Sequence, residues 1–314
     1  MNKAQKELYI HIGTHKTGTT ALQQFFTLNR PVLKNNGIDY PAVVDAGDGH
    51  HRLAWSLLKE EGRPCQWDIK NLKSSKQEWS QALKNAGSRV LLSSETFIFS
   101  KPDTIRKIIA LAPNYQVKMV VYFRRQDDMG SSVVNEVTKS SRKRWTEFKN
   151  PLPYKLKYID YLDYWSQVIG RQNVIVRPYE KQQFYGGTIF SDFLHHVFNL
   201  EANGFEIPQG NINARLHRVI LEYKRLINCL PISAEGNAVT LKPLLEISNT
   251  FYEEGRADYS VLSPQKRLQV LQDYSEMNQQ IARHYLGRQD GRLFYNPLPD
   301  PGEDWLPYDQ LRYE

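Results

Sequence analysis

Short apolar runs recur along the chain at Tyr9 to Ile12, Val90 to Ser93, Val117 to Phe123 and Val174 to Val176, with helical patterns between them. That alternation predicts an α/β fold, a central parallel sheet with helices on both faces. Val117-Lys-Met-Val-Val-Tyr-Phe123 is almost continuously apolar, as expected of a strand covered on both sides. Leu156 to Val168 and Asp192 to Leu200 are amphipathic, and about Leu216 to Leu286 is predominantly helical, broken around Pro231 and Pro264. Asp45-Ala-Gly-Asp-Gly49 reads as a loop, and Tyr295-Asn-Pro-Leu-Pro-Asp-Pro-Gly302 as an extended, proline-rich tail. The pattern contains no repeats. One domain over residues 1–314 is expected, with a helical portion at about 205–290 and a tail at 295–314.

The most specific local pattern begins in the first run, at Leu8-Tyr-Ile-His-Ile-Gly-Thr-His-Lys-Thr-Gly-Thr-Thr-Ala-Leu-Gln23. A strand entering a tight turn at a helix N-terminus aims several unpaired backbone N–H groups at one point, and the helix dipole adds positive charge there. Lys16 adds a full charge, and Thr17, Thr19 and Thr20 add hydroxyls. Gly13-Thr-His-Lys-Thr-Gly-Thr-Thr20 is therefore a candidate phosphate cradle. In the nucleotide-triphosphatase loop, G-x-x-x-x-G-K-[ST], the lysine follows the last glycine and the next hydroxyl holds magnesium. Here Lys16 precedes Gly18, and no acidic strand end stands out as a magnesium ligand.

This order resembles the 5′-phosphosulfate loop of sulfotransferases that use 3′-phosphoadenosine 5′-phosphosulfate (PAPS), where a K-[ST]-G-[ST]-T core follows the first strand. The resemblance implies a P-loop-like sulfotransferase architecture and assigns donor binding to Gly13, Thr14, His15, Lys16, Thr17, Gly18, Thr19 and Thr20. Sulfuryl transfer moves a singly charged group off a phosphate, so a lysine and main-chain amides suffice to stabilise the leaving oxygens, and no metal is expected. A second segment agrees. Family members bind the donor's 3′-phosphate with an arginine at a strand end and a serine eight residues later, the spacing of Arg124 and Ser132. Asp128 falls where the family commonly has an acidic residue, and an arginine fork suits phosphate well. Arg125 is open between that phosphate and a structural ion pair.

The resemblance extends, less specifically, to Asn173-Val-Ile-Val-Arg-Pro-Tyr-Glu180, Asp192-Phe-Leu194, Asn278, Ile281-Ala-Arg-His-Tyr-Leu-Gly287 and Leu293-Phe294, which look like segments of bacterial members. Two departures stand out: His15 replaces the proline usual in cytosolic animal enzymes, and their C-terminal Arg-Lys-Gly segment is missing. Arg177 and Arg215 are the candidates to complete the 3′-phosphate site.

The acceptor must lose a proton during transfer, which requires a base within hydrogen-bond reach. Val90-Leu-Leu-Ser-Ser94 delivers Glu95 at a strand's carboxyl end, where open α/β sheets bind ligands, and its place is similar to that of the family's catalytic histidine. His51, beside His50, matches the position after the second strand used by other branches. Glu95 is favoured, with His51 as the alternative base. Lys16 completes the expected catalytic set.

A 40% hydrophobic content suits a sizeable core, and the formal charge of +7 favours anionic partners. The basic cluster Lys139-Ser-Ser-Arg-Lys-Arg-Trp145 is read as a border of the acceptor cleft attracting an acidic polysaccharide or glycolipid head group, not as a nucleic-acid site. Trp55, Trp67 and Trp145 are candidates to line that cleft, though core packing is the commoner role of such rings. Cys65 and Cys229 show no metal-like spacing and are expected to be reduced. The longest apolar runs fall far short of the roughly twenty residues that cross a bilayer, so at most peripheral membrane contact is expected. Met1 to Lys6 leads into the first strand with no export segment, which points to the cytoplasm. The rival readings are a magnesium-dependent nucleotide kinase or triphosphatase, and a non-catalytic nucleotide- or polyanion-binding module.

Overall fold

Strand β1 (Lys6–His11) is buried from Leu8 to His11 and pairs in parallel with β3 (Arg89–Ser93) on one edge and β4 (Tyr115–Phe123) on the other. With β2 (Ile38–Asp39) and β5 (Val174–Pro178) they make one five-stranded parallel sheet of order β2-β3-β1-β4-β5. The computed structural model describes residues 5–14, 16–42, 47–59, 72–140, 157–208, 215–305 and 307. Ile10 pairs with Leu92 on one side and Met119 on the other, all fully buried. His11 lies level with Ser93 and Val120, so the carboxyl ends of β1 and β3 fall in step. Lys118 interrupts the apolar run of β4; its ammonium donates to the Glu7 carboxylate at 2.5 Å, which pairs both charges against the cost of partial burial.

The helices between strands are α1 (Thr19–Leu28), α2 (Arg30–Asn35), α3 (His51–Lys59), α4 (Leu72–Asn85), α5 (Pro102–Leu111), α6 (Gln126–Ser140) and α7 (Tyr158–Ile169), and α8 (Ile189–Phe198) follows β5. Beyond them the chain is helical, as expected, in α9 (Arg218–Ile227), α10 (Ala234–Glu253), α11 (Pro264–Asp273) and α12 (Ser275–Leu286). Pro264 opens α11 at its first turn, where the missing N–H costs nothing. Pro243, which gave no break in the sequence pattern, lies inside α10.

Two units make up the chain, and neither is continuous in sequence. The first comprises Met1–Arg124, Lys157–Gly210 and Met277–Tyr295; the second comprises Arg125–Leu156, Asn211–Glu276 and Asn296–Glu314. The first holds the whole sheet. On one face Leu22, Phe25 and Phe26 of α1 pack with Phe193 and Phe198 of α8 against Tyr9 and Tyr122. The second unit has its own core of Val134, Leu216, Ile220, Leu221 and Val261. Among the described residues, no helix is long and apolar enough to cross a membrane.

Candidate functional site

The sheet order places β1 between β3 and β4, where the chain's strand order reverses, and open α/β sheets bind ligands at such a point beyond their carboxyl ends. Everything at this edge follows from how β1 leaves the sheet. The loop from Gly13 to Gly18 takes left-handed backbone at Gly13 (φ 37°), Lys16 (φ 65°) and Gly18 (φ 72°). His15 lies outside the described residues. Glycine meets the first and last of these without strain, whereas Lys16 holds a conformation costly for a residue with a Cβ. Gly13 is also crowded, since a Cβ there would lie 2.5 Å from Thr19 Oγ1. Gly13→Ala is expected to destabilise the protein by about 1–3 kcal/mol, combining a strained φ with overpacking. The drop would appear in the urea midpoint, and an unchanged midpoint would mean that Thr19 simply turns away.

Most of the loop's hydroxyls face inward. Thr14 donates to the carbonyl of Tyr122 at 2.8 Å, and Thr17 to the carbonyl of Thr14 at 2.6 Å. Thr19 lies 3.5 Å from that same carbonyl. Thr14, Thr17 and Thr19 are buried, while Thr20 is exposed in the first turn of α1 and Lys16 is half-buried. Helix α1 starts at Gly18 without a side-chain cap and without an acidic residue in its first turn. Its leading N–H groups and dipole are thus directed at whatever occupies the loop, which suits an anion.

Arg124, the first residue past β4, reaches this loop and donates from Nη1 to the carbonyl of Lys16 at 3.1 Å. Its guanidinium lies 5.8 Å from the Tyr179 ring centroid, and its own carbonyl accepts from Tyr158 Oη at 2.7 Å. Lys16 and Arg124 are therefore brought together in one unit. Ser132 lies on α6 in the second unit. Arg125 resolves as a structural ion pair: it is buried, grips Asp127 at 2.8 and 3.0 Å, and donates to the carbonyls of Asn296 and Pro297. Arg267 binds the same Asp127 at 3.0 Å and approaches Asp128 at 3.8 Å.

Two further arginines are held by carboxylates. Arg177 forks onto buried Asp192 at 2.6 and 3.0 Å, and Asp192 also accepts from Tyr122 Oη and the Tyr185 N–H. Burial raises the Tyr122 phenol above its ordinary range, so it stays a neutral donor. Arg215 pairs with Asp258 at 3.1 Å in the second unit.

On the other side of β1, the chain leaves β3 through Ser94 into a single 3₁₀ turn, Glu95–Phe99. The Ser94 hydroxyl caps this turn by accepting from the Thr96 N–H at 3.2 Å, which leaves Glu95 half-buried at its first position. His51, at the start of α3, approaches that hydroxyl with Nδ1 at 2.8 Å and stacks on Trp55.

His50 has a different role. Its Nδ1 accepts from the Ser93 N–H at 2.9 Å and its Nε2 lies 3.0 Å from the Pro41 carbonyl, which fixes a neutral ring protonated on Nε2. Burial lowers its pKa to about 3. His11 is equally buried, with its pKa also lowered to about 3. Its Nδ1 meets Ser93 Oγ at 2.8 Å, while Nε2 is buried without a hydrogen-bond partner, its ring edge-on to Tyr122 and Phe193. Gln23 Nε2 reaches the same Ser93 hydroxyl at 3.3 Å.

Sequence reasoning missed this network of His11, Gln23, Ser93 and Ser94. The available signal was the placement of His11 and of Ser93-Ser94 at the ends of otherwise apolar strands. Among the described residues, no group of three or more His, Cys, Asp or Glu is placed to hold a metal. Cys229 is a half-buried free thiol; Cys65, Trp67 and residues 141–145 of the basic cluster lie outside the described residues.

No family model matches the chain. An uncharacterised protein of Archaeoglobus fulgidus is 28% identical over 207 residues, covering 63% of this chain and 54% of that protein, so the match spans about half the relative's length. A crystal structure of a sulfotransferase from Alicyclobacillus acidocaldarius superposes with a TM-score of 0.43 at 15% identity, over 72% of this chain and 93% of that one.

Proposed function

We propose that the chain is a PAPS-dependent sulfotransferase that moves a sulfuryl group to a hydroxyl or amine of an acceptor, of carbohydrate or glycoconjugate type. The observation that carries this reading is the Lys16–Gly18 turn, opening on an uncapped helix N-terminus, with Arg124 from the adjacent strand bonded to its main chain. Glycines at 13 and 18, a half-buried lysine and an arginine fork fit a polyanionic nucleotide donor.

PAPS, when bound, supplies the activated sulfuryl group. Glu95 takes the proton released by the acceptor as its oxygen or nitrogen bonds to sulfur. As the bond from sulfur to the 5′-phosphate oxygen breaks, its electron pair stays on that oxygen. The Lys16 ammonium and the first amides of α1 neutralise the charge gathering there, leaving 3′-phosphoadenosine 5′-phosphate as product. Arg124 receives the 3′-phosphate, a role the family resemblance extends to Ser132. The mechanism asks nothing of a metal. A cytoplasmic setting belongs to the same proposal, as does an acidic saccharide or glycolipid acceptor.

Calorimetric titration of metal-free protein with 3′-phosphoadenosine 5′-phosphate tests it, alongside magnesium ATP. Binding of the bisphosphate and not of ATP is expected. Arg124→Ala should weaken that binding by roughly 10–100-fold, the loss of about 1.5–3 kcal/mol typical of a charge-assisted contact. Preference for magnesium ATP would instead make the chain a phosphoryl-transfer protein.

A further inference from the structure

We infer that His51 is a positioning residue that holds the turn carrying Glu95, an inference that rests on Glu95 being the base in the reading above. Two contacts hold the imidazole. Its Nδ1 lies 2.8 Å from Ser94 Oγ, and its ring stacks on Trp55 one helical turn away, with centroids 5.6 Å apart and planes at 23°. Its Nε2 lies against the Gly49 main chain, where a Cβ would come within 2.5 Å of it. Nδ1 is thereby committed to Ser94, the residue that opens the turn carrying Glu95.

What His51 touches is informative. Ser94 is fully buried, and its hydroxyl already accepts from the Thr96 N–H, the bond that starts the Glu95–Phe99 turn. Ser94 is itself pinned to β1, its N–H donating to the His11 carbonyl at 3.0 Å. The line from His51 through Ser94 to Thr96 therefore ties α3 to the first turn after β3. Glu95 sits between the two bonded residues. A buried hydroxyl left without its histidine would rotate in search of another partner and release the cap, which loosens Glu95 by one turn of backbone.

Gly49 adds a second constraint, since it lies between His51 and Gln23, and a Cβ would also fall 2.8 Å from the Gln23 amide. Gln23 in turn donates to the Ser93 hydroxyl at 3.3 Å.

The test compares His51→Leu with His51→Asn, whose amide places a hydrogen-bonding atom near the Nδ1 position. Nitrogen-15 NMR exchange of the Thr96 amide reads the cap directly, and PAPS turnover with water as the acceptor, which must lose a proton, reads the base. In the leucine variant Thr96 exchange should rise at least about tenfold, while in the asparagine variant it should stay within about threefold of the parent. Turnover should fall roughly 10–100-fold with leucine but stay within about fivefold with asparagine, donor KM being unchanged in both. Undisturbed Thr96 exchange in the leucine variant would overturn the inference whether or not PAPS is turned over. So would a loss of about 1,000-fold in the asparagine variant with Thr96 protected, because that result makes His51 the base. If the parent turns over no PAPS while Thr96 responds as described, the sulfotransferase reading falls and the structural tie stands.

Discussion

Removing the Lys16 charge is expected to lower sulfuryl transfer by about 100–1,000-fold while changing the affinity for 3′-phosphoadenosine 5′-phosphate by less than about tenfold. The asymmetry follows from where charge moves. In the ground state the phosphate is already solvated by the first amides of α1, whereas in the transition state negative charge builds on the oxygen losing its bond to sulfur. A group that acts mainly on that increment lowers kcat and leaves binding largely intact. Lys16 has a complication of its own, because its backbone is left-handed at φ 65° and its carbonyl is held by Arg124. Lys16→Met keeps the backbone cost and the side-chain stem but removes the charge; Lys16→Gly removes the charge and relieves the backbone. Both should lose turnover equally, and the glycine variant should be the more stable by about 1 kcal/mol. A methionine variant that keeps parental turnover would sink the proposed role.

The second large effect is acid sensitivity. Burial holds His11 and His50 near a pKa of about 3, against about 6.5 in an unfolded chain. Below pH 6.5 the unfolded chain binds two protons that the folded one refuses, so stability present above that pH is lost as the pH falls toward 3. Each histidine contributes a slope of about 1.4 kcal/mol per pH unit, so the pair should remove roughly 5 kcal/mol between pH 6.5 and 4.5. That is comparable to the whole stability of many domains. The geometry explains why neither ring yields. Protonating His50 would set a second N–H against the Ser93 N–H, and protonating His11 would bury a charge beside Tyr122 and Phe193. Urea midpoints from pH 7 to 4.5 measure the slope. His11→Gln and His50→Gln should each flatten it by about half, and a slope that neither substitution changes would put the acid sensitivity elsewhere.

The parallel sheet was legible because β1, β3, β4 and β5 announce themselves as apolar runs between helical intervals. Strand β2 was not, since two residues show no periodicity and its pairing with β3 exists only in three dimensions. The loop at Gly13 to Gly18 was readable for the same reason the sheet was: its residues are contiguous, and each has a local physical use. Contacts between distant segments left no such trace. Arg125 and Asp127 are two residues apart, and an ion pair was a visible option. Arg177 and Asp192 are joined only once α8 returns to β5, and nothing near either residue signals that bond. The Ser93 hub was hidden more deeply, because its partners come from β1, α1 and the start of α3. The hydroxyls of Thr14 and Thr17 were visible as donors, but their inward direction depends on the Tyr122 carbonyl and on the loop's own carbonyls.

The sheet-bearing unit is completed only after Asn211–Glu276 of the second unit has been synthesised. After β5 the chain still lacks Met277–Tyr295, whose Arg288 bonds the Gln183 amide oxygen and whose Tyr295 N–H bonds Glu180 at 2.7 Å. Those two contacts clamp the segment directly following β5, between residues 180 and 183, from more than a hundred positions downstream. A ribosome must therefore release the chain through Tyr295 before the segment following β5 acquires these supports. Until then the segment after β5 lacks both bonds, a period in which a holding chaperone has most to protect.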